Sequence, residues 1–230
     1  MTSIQDIKLA VDAIVFGYEN KELYILLIKQ KYAPFKNEWA LPGGLVKNDE
    51  SLQDAVCREL KEETGIHVDY LEQLYTFGDD VHRDPRNRVV SVAYFALANP
   101  DKLVLKADTD AIDAQWFPLS AIPKLAFDHI EIVQVAKQRL QSKIHYQPIG
   151  FDLLKSEFPF SDLEHLYKTI LGRDIDRRNF RKKILSFGIV EETDKIHKPV
   201  AGRPSKLFRF NKEKYKALKT SNFHLDLKFT

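Results

Sequence analysis

Cysteine and long apolar runs are scarce in this sequence. The 230 residues contain a single cysteine, Cys57, so no disulfide can form within the chain. No segment reaches the roughly 18 apolar residues that a membrane-spanning helix needs, and residues 1–8 lack the apolar core of a secretion signal. Internal repeats and low-complexity tracts are also missing from the sequence. We therefore expect a globular, cytoplasmic protein that has no membrane partner.

The charge of the chain is unevenly distributed. The formal net charge is only +2, but residues 146–230 carry 18 Lys/Arg against 11 Asp/Glu, and residues 1–145 carry 17 against 22. Such a split predicts two domains with different partners, 1–145 and 146–230, with Pro148 and Gly150 beside the boundary. Carboxylates of an acidic domain can hold cations, and a basic domain can bind phosphates.

The first predicted domain combines strands and helices. Alternating and β-branched residues predict strands at residues 7–18, 23–28, 68–77, 89–97, 103–105 and 114–117. Apolar residues at helical spacing predict a helix at 51–64, which Gly65 ends, and a second from Asp128 to about residue 140. The order is not a regular βαβ repeat, so the predicted fold class is α/β (α+β) with a mixed sheet between helices.

Residues 44–66 carry the strongest motif. They combine a glycine, a glutamate six positions later, and a final run Arg-Glu-Leu-Lys-Glu-Glu-Thr-Gly-Ile. Glu59, Glu62 and Glu63 of that run lie at i, i+3 and i+4, so one helix face presents three carboxylates. Such a group repels itself unless a cation lies within it, and oxygen ligands suit Mg²⁺ or Mn²⁺. The alternative is a solvated acidic helix face, which the complete spacing disfavours.

This spacing matches the Nudix box at every fixed position, and the chain resembles the Nudix family over roughly residues 7–140. The resemblance implies a ligand in which a nucleoside diphosphate is linked to another moiety. It also implies that Glu59 is a metal ligand or general base, and that Glu62 and Glu63 are metal ligands. A bound metal bridges to a diphosphate and can activate water for attack on phosphorus.

Residues around the carboxylates complete the predicted site. Gly43 and Gly44 allow a tight turn that brings the Gly44 carbonyl to the metal, and Arg58 can pair with Glu62. A polar loop at residues 78–88 can cover the ligand and supply Arg83 or Arg86 to phosphate, or it can be an ordinary loop. The candidate catalytic residues are Arg58, Glu59 and Glu62, the candidate metal ligands are Gly44, Glu59, Glu62 and Glu63, and the candidate ligand-binding residues are Gly43, Arg83 and Arg86.

Two aromatic residues and one histidine are weaker candidates. Phe35 and Trp39 can stack on a base, although aromatic residues beside strands more often belong to the core. His129 can form a hydrogen bond at a helix start or contact a ligand.

The second predicted domain has the element order of a winged helix. We expect a helix at 162–171 capped by Ser161, a basic helix at 176–187, and strands at 189–192 and 207–210. The basic helix can enter a major groove and the wing can reach a minor groove. The alternative is a solvated basic helix in a protein-binding module. The candidate DNA-binding residues are Arg177, Arg178, Asn179, Arg181, Lys182, Arg203 and Lys206.

The whole chain is similar to the Nudix-related transcriptional regulator (NrtR) family. Three features carry this resemblance: the Nudix domain, the sequence Ala-Phe-Asp-His at 126–129 where a helix opens, and the sequence Ala-Gly-Arg-Pro-Ser at 201–205 in the wing. The resemblance implies a homodimer that binds double-stranded DNA and senses a metabolite such as ADP-ribose in NAD or sugar metabolism. Ligand binding would change the spacing of the two recognition helices. The alternative to a regulator is an enzyme, because the Nudix box is intact. It would be an Mg²⁺-dependent ADP-ribose pyrophosphatase whose C-terminal module does not bind DNA.

Overall fold

The computed structural model describes residues 6–102, 105, 111–198 and 203–220. Within them the chain forms two compact units, divided between Arg139 and Leu140, and the turn Asn20–Glu22 is grouped with the second unit. None of the helices in these ranges is long and apolar enough to cross a bilayer. Most of the strand predicted at 103–105, and Gly202 of the predicted wing, lie outside the described residues.

The first unit forms one mixed sheet with helices. Its elements are β1 (Lys8–Glu19), β2 (Glu22–Gln30), β3 (Trp39–Ala40), β4 (Gly43–Leu45), α1 (Leu52–Thr64), β5 (Tyr70–Phe77), β6 (Val89–Leu97), β7 (Ala111–Pro118) and α2 (His129–Lys143). The sheet runs β3-β2-β1-β6-β5, with β4 paired to β1 and β7 paired to β2. β1 and β6 are parallel, whereas β4 is antiparallel to β1. The predicted mixed α/β fold is thereby confirmed.

Alternate residues of β1 have two different surroundings. Val11, Ala13 and Val15 belong to the cluster that buries Val56 and Leu60 of α1. Asp12 points to the opposite face because successive side chains of a strand alternate, and there it meets the start of α2. One strand therefore supplies both apolar packing for α1 and a buried carboxylate.

Helix α1 has defined signals at both ends. The Ser51 side chain accepts a hydrogen bond from the Asp54 amide, and Gly65 ends the helix in the left-handed region with φ +73°. The side of α1 that packs on the sheet also buries Glu59 and Glu63. The predicted helix is confirmed, and its packing fixes the direction in which two of its glutamates point.

The second unit contains a helix pair and an antiparallel sheet. Its elements are β8 (Glu157–Pro159), α3 (Phe160–Leu171), α4 (Arg177–Ser186), β9 (Val190–His197), β10 (Ser205–Phe210) and α5 (Lys212–Thr220). The sheet order is β8-β10-β9. The helices and strands predicted for a winged helix are confirmed, with β9 five residues longer than expected at its C-terminal end.

The expected cap of α3 was wrong. The helix begins at Phe160, and Pro159 rather than Ser161 occupies the N-cap without a side-chain hydrogen bond. Pro159 is also the last residue of β8, so the strand leads directly into the helix. Its ring fixes φ and lacks an N–H, which suits the residue at which a helix starts.

Candidate functional site

A cavity of about 580 Å³ lies in the first unit, within the size range of small-molecule sites. Its wall contains the glycines and carboxylates of the Nudix-like motif together with residues from β1, the loop 78–88 and the start of α2. The lining includes Asp12, Gln30, Tyr32, Gly43, Gly44, Arg58, Glu59, Glu62, Glu63, Arg83, Asp84, Arg86, Phe127 and His129. All the predicted metal, catalytic and ligand-binding residues therefore surround one space.

Arg58 holds the carboxylates of the motif together. Its Nη1 atom lies 2.6 Å from Glu59 Oε1 and 3.1 Å from Glu62 Oε2, and its Nη2 atom lies 2.6 Å from Glu50 Oε1. The hydrogen bond from Arg58 lowers the pKa of Glu50 to about 2. The same bonds raise the pKa of Arg58, with Glu50 contributing most. Arg58 is thus the counter-ion of three glutamates, whereas the sequence predicted a pair with Glu62 alone.

The glutamates of the motif contact other groups of the protein in this arrangement. Among the described residues no three Asp, Glu, His or Cys side chains are placed to hold a metal ion. Glu59 and Glu62 bind Arg58, and Glu63 Oε2 accepts a hydrogen bond of 2.8 Å from the Gly43 amide. Metal binding by Gly44, Glu59, Glu62 and Glu63 stays a prediction.

The two adjacent glycines are needed for different close contacts. A Cβ on Gly44 would lie 2.4 Å from Glu59 Oε1, and one on Gly43 would lie 2.2 Å from the Val11 carbonyl oxygen and 2.8 Å from Asp12 Oδ1. Gly44 therefore leaves room for a carboxylate of α1. Gly43 leaves room for the backbone of β1.

A buried polar network borders the cavity, and the sequence did not predict its centre, Asp12. Asp12 Oδ2 accepts a 2.5 Å hydrogen bond from Ser91 Oγ and lies 3.6 Å from Arg83 Nη2. Arg83 in turn makes two hydrogen bonds to Asp128, of 2.6 and 2.8 Å. Burial lowers the pKa of Arg83, but the bonds to Asp128 and the charge of Asp12 outweigh it, so the pKa is raised. An aspartate inside an otherwise apolar strand was the available signal.

His129 is a neutral member of this network. Its Nδ1 atom accepts a 2.9 Å hydrogen bond from the Leu41 amide, so in the neutral ring the proton is on Nε2, which lies 3.4 Å from Asp12 Oδ1. Burial lowers the pKa of His129, and this outweighs the opposing effect of the Asp12 charge. The histidine thus connects the turn before β4 to the carboxylate of β1.

The predicted ligand-binding arginines line the cavity with their charges already paired. Arg83 is buried against Asp128 and Asp12, whereas Arg86 is half-exposed and bonds Asp84 through two nitrogens, at 2.8 and 3.0 Å. Of the two aromatic candidates, Trp39 packs edge-on against Phe117. Phe35 packs against Phe127, which lines the cavity.

Two of the basic residues of helix α4 in the second unit also contact the rest of that unit. Arg177 Nε donates to the buried Glu164 at 2.9 Å, and Arg181 lies over Phe160 with its Cζ atom 4.4 Å from the ring centroid. Arg178 and Lys182, at i and i+4, are exposed on one face of the helix. Arg177 and Arg181 are exposed as well, so all four add to the basic surface of α4.

The other candidate DNA-binding residues have mixed surroundings. Asn179 donates through Nδ2 to Asp176, which also caps α4 by accepting from two backbone amides. Lys206, in β10, lies 3.2 Å from Glu192 in β9, with both side chains about half-exposed. Arg203 is exposed just before β10.

Comparison with known proteins identifies both units. The sequence matches the NUDIX domain model over residues 6–136 and the NrtR DNA-binding winged helix domain model over residues 150–210. It is 37% identical over 212 residues to the ADPR-responsive transcriptional repressor NtrR of Acinetobacter baylyi, covering 90% of this chain and 83% of that one. The chain belongs to the NrtR family. The resemblance seen in its motifs is thereby confirmed.

Two further relatives bear on the two units. The chain of Shewanella oneidensis NrtR, solved with a 27-mer DNA, superposes on this NrtR-family chain with a TM-score of 0.79 and 32% identity, covering 90% of this chain and 95% of that one. An ADP-ribose pyrophosphatase of Methanocaldococcus jannaschii is 42% identical over 125 residues, which cover 54% of this chain and 70% of the enzyme. The first unit of this chain therefore also resembles a hydrolase.

We expect the two glycines of this NrtR-family site to respond differently to a methyl group. Gly43→Ala should lower the free energy of unfolding by about 1–3 kcal/mol, because its Cβ meets backbone of β1 and overpacking of that kind has this cost. Gly44→Ala should have a smaller effect, because only the Glu59 carboxylate must move. Urea unfolding of both variants measures the difference, and equal losses would contradict it.

We also expect His129 to make folding sensitive to acid. The unfolded histidine takes up a proton near pH 6.5, whereas the folded one resists protonation, so stability is lost as pH falls below 6.5. Urea unfolding between pH 7.5 and 5 should give a shallower loss for His129→Gln than for the wild type. His67→Gln, at an exposed histidine, is the control and should keep the wild-type slope. Identical slopes for all three proteins would refute the assignment.

Proposed function

We propose that the protein is a transcriptional repressor that binds double-stranded DNA through its second unit and responds to ADP-ribose bound in the first. The observation that carries the proposal is that one chain combines an intact carboxylate helix facing a cavity with a basic winged helix. Similarity to the ADPR-responsive repressor over 90% of the chain supports the same assignment. The single cysteine supports a cytoplasmic location.

We further propose that Mg²⁺ or Mn²⁺ accompanies the ligand, held by Glu59, Glu62, Glu63 and the Gly44 carbonyl. The oxygen-only donor set supports this proposal. So does the close approach of the Glu59 carboxylate to Gly44, because a side chain at position 44 would occupy that space. A bound divalent cation neutralises charge on the diphosphate. Arg58 meanwhile restrains Glu59 and Glu62 from the side.

The DNA-binding form is proposed to be a homodimer, whose two copies of α4 read two half-sites. Arg178 and Lys182 on the exposed face of α4 contact phosphates or base edges. Asp176 caps the helix, and Arg177 and Arg181 hold it against α3 and the sheet. These two also remain candidate DNA contacts, along with Asn179 and, in the wing, Arg203 and Lys206.

The second candidate function is hydrolysis of ADP-ribose, favoured by the intact motif and the 42% identical pyrophosphatase. In that reaction water attacks the diphosphate, a phosphoanhydride bond breaks, and AMP and ribose 5-phosphate are released. Ligand sensing and hydrolysis would use the same carboxylates and the same cation. A repressor that also hydrolyses its ligand would combine the two functions.

DNA binding should depend on the exposed face of α4. We expect Arg178→Ala and Lys182→Ala each to weaken binding to a labelled duplex from the upstream region of the protein's own gene. Because one phosphate contact is lost in each copy of α4, the slope of log affinity against log salt should fall by about 2 for the dimer. Fluorescence anisotropy at several salt concentrations measures both quantities. Lys36→Ala removes an exposed lysine of the first unit as the control. Wild-type protein without affinity for this duplex at low salt would exclude the repressor.

ADP-ribose binding should depend on the carboxylates of α1. We expect Glu62→Gln to weaken Mg²⁺-dependent binding of ADP-ribose about tenfold, since a charged metal ligand is lost, with little change in stability because this side chain is part-exposed. Calorimetry measures binding while chromatography follows AMP. Release of duplex DNA by ADP-ribose without AMP supports a sensor. AMP formation that Glu62→Gln abolishes supports the hydrolase, and no binding at all would refute both functions.

A further inference from the structure

Glu164 is a buried carboxylate of α3 that contacts the start of α4. Its side chain is only 7% exposed, and its Oε2 atom accepts a hydrogen bond of 2.9 Å from Arg177 Nε. A carboxylate away from water needs such a partner, since burial of an unpaired charge is costly. Because this negative charge lies beside a basic helix, it reduces the attraction of α4 for phosphates. Glu164 therefore does not promote DNA binding through its charge.

Arg177 remains open to solvent although it is paired. Its side chain is 68% exposed, and the bond to Glu164 uses only the Nε donor. In the part of the chain that the structure describes, neither Nη group of Arg177 makes a hydrogen bond. A guanidinium has five N–H donors in one plane, so four of them are available to a ligand.

The ion pair of Arg83 in the first unit shows the contrasting arrangement. Arg83 bonds Asp128 through both Nε and Nη2, and its side chain is 5% exposed. A two-point pair of this kind occupies the guanidinium with its internal partner. Arg177 is held at one point only, so its two Nη groups keep the fork geometry that fits the O6 and N7 atoms of a guanine.

The backbone that carries Arg177 is also fixed. Arg177 is the first residue of α4, and the preceding Asp176 accepts hydrogen bonds from two backbone amides of the first turn. Phe180, three residues further on, is buried and packs on Tyr167 with ring centroids 4.9 Å apart. Rotation of α4 would remove this ring from the core. In helix-turn-helix domains the N-terminal residues of the recognition helix contact base edges, and Arg177 has that position.

Two other basic residues of α4 lack such support. The exposed side chains of Arg178 and Lys182 make no hydrogen bond or ion pair within the described ranges. Unsupported side chains suit phosphates, which are alike at every base pair, whereas discrimination between bases needs donors of defined direction. Arg177 thus differs from these two residues in having donors that another residue orients.

We propose that Glu164 is a positioning residue for sequence recognition. Glu164 does not touch DNA, but by holding Arg177 Nε it directs the two Nη groups toward a base edge, and guanine is the base that fits such a fork. The restraint also reduces the entropy that a free arginine loses on binding. This inference rests on the proposed binding of double-stranded DNA by the second unit, and adds the pair of residues that distinguishes an operator from other sequences.

The test compares two labelled duplexes by fluorescence anisotropy, one from the upstream region of the protein's own gene and one with the same bases in scrambled order. The readout is the ratio of the two affinities. Arg177→Lys keeps the charge but loses the fork, so affinity for the upstream duplex should fall about tenfold per half-site, or about a hundredfold for the dimer. Affinity for the scrambled duplex and its salt dependence should stay unchanged.

Glu164→Met keeps the length of the side chain but removes the acceptor. Affinity for the upstream duplex should fall about tenfold for the dimer, because each released Arg177 must be ordered again on binding. Affinity for the scrambled duplex should not fall, since a negative charge beside α4 is lost. In the Arg177→Lys background, Glu164→Met should lower the ratio no further, because the two residues act through one hydrogen bond.

Glu213→Met and Arg173→Lys, at exposed residues of the same unit, are the matched controls and should keep the wild-type ratio. Equal weakening of both duplexes by Glu164→Met would mean a structural role only and would overturn the proposal. An unchanged ratio in Arg177→Lys would overturn it too, because this variant alters an exposed side chain and leaves the core intact. Wild-type protein that binds both duplexes equally would instead overturn the proposed repressor itself.

Discussion

The buried carboxylate of Asp12 is the constraint on which the arrangement of the first unit depends. A charged group away from water is tolerated only when hydrogen bonds and opposite charge compensate it. Ser91 and Arg83 supply that compensation directly, and His129 adds a neutral donor. Because these partners come from β6, the loop 78–88 and α2, satisfying one carboxylate fixes three separate segments around the cavity.

The same constraint explains several local features. Gly43 lies so close to Asp12 and to the β1 backbone that a side chain has no room there. Asp128 keeps Arg83 buried in a loop that would otherwise be exposed. Since His129 bonds the Leu41 amide, the turn leading to the glycines is tied to α2. These contacts tie the segments around the cavity to one another, as rigid sites require.

Sequence patterns predicted the elements that have strong periodicity and clear end signals. Helix α1, with Ser51 and Gly65 at its ends, is an example. The short strands β3 and β8 were missed because two or three residues show no alternation. The centre of the site, Asp12, was missed because its partners are distant in sequence, the farthest being His129, 117 residues away. The spacing of residues in a sequence does not predict ion pairs between distant segments.

Arg58 gives the glutamates of the Nudix box a structural role of their own. Its guanidinium already neutralises part of the charge on Glu50, Glu59 and Glu62, so each of these glutamates has a role in holding the turn and α1 together. Replacing Glu50 or Glu59, the more buried of the three, would leave Arg58 with fewer partners and loosen the wall of the cavity. The motif therefore contributes to the shape and charge of this wall of the cavity, and hydrolysis would need, in addition, a water positioned for attack on a diphosphate.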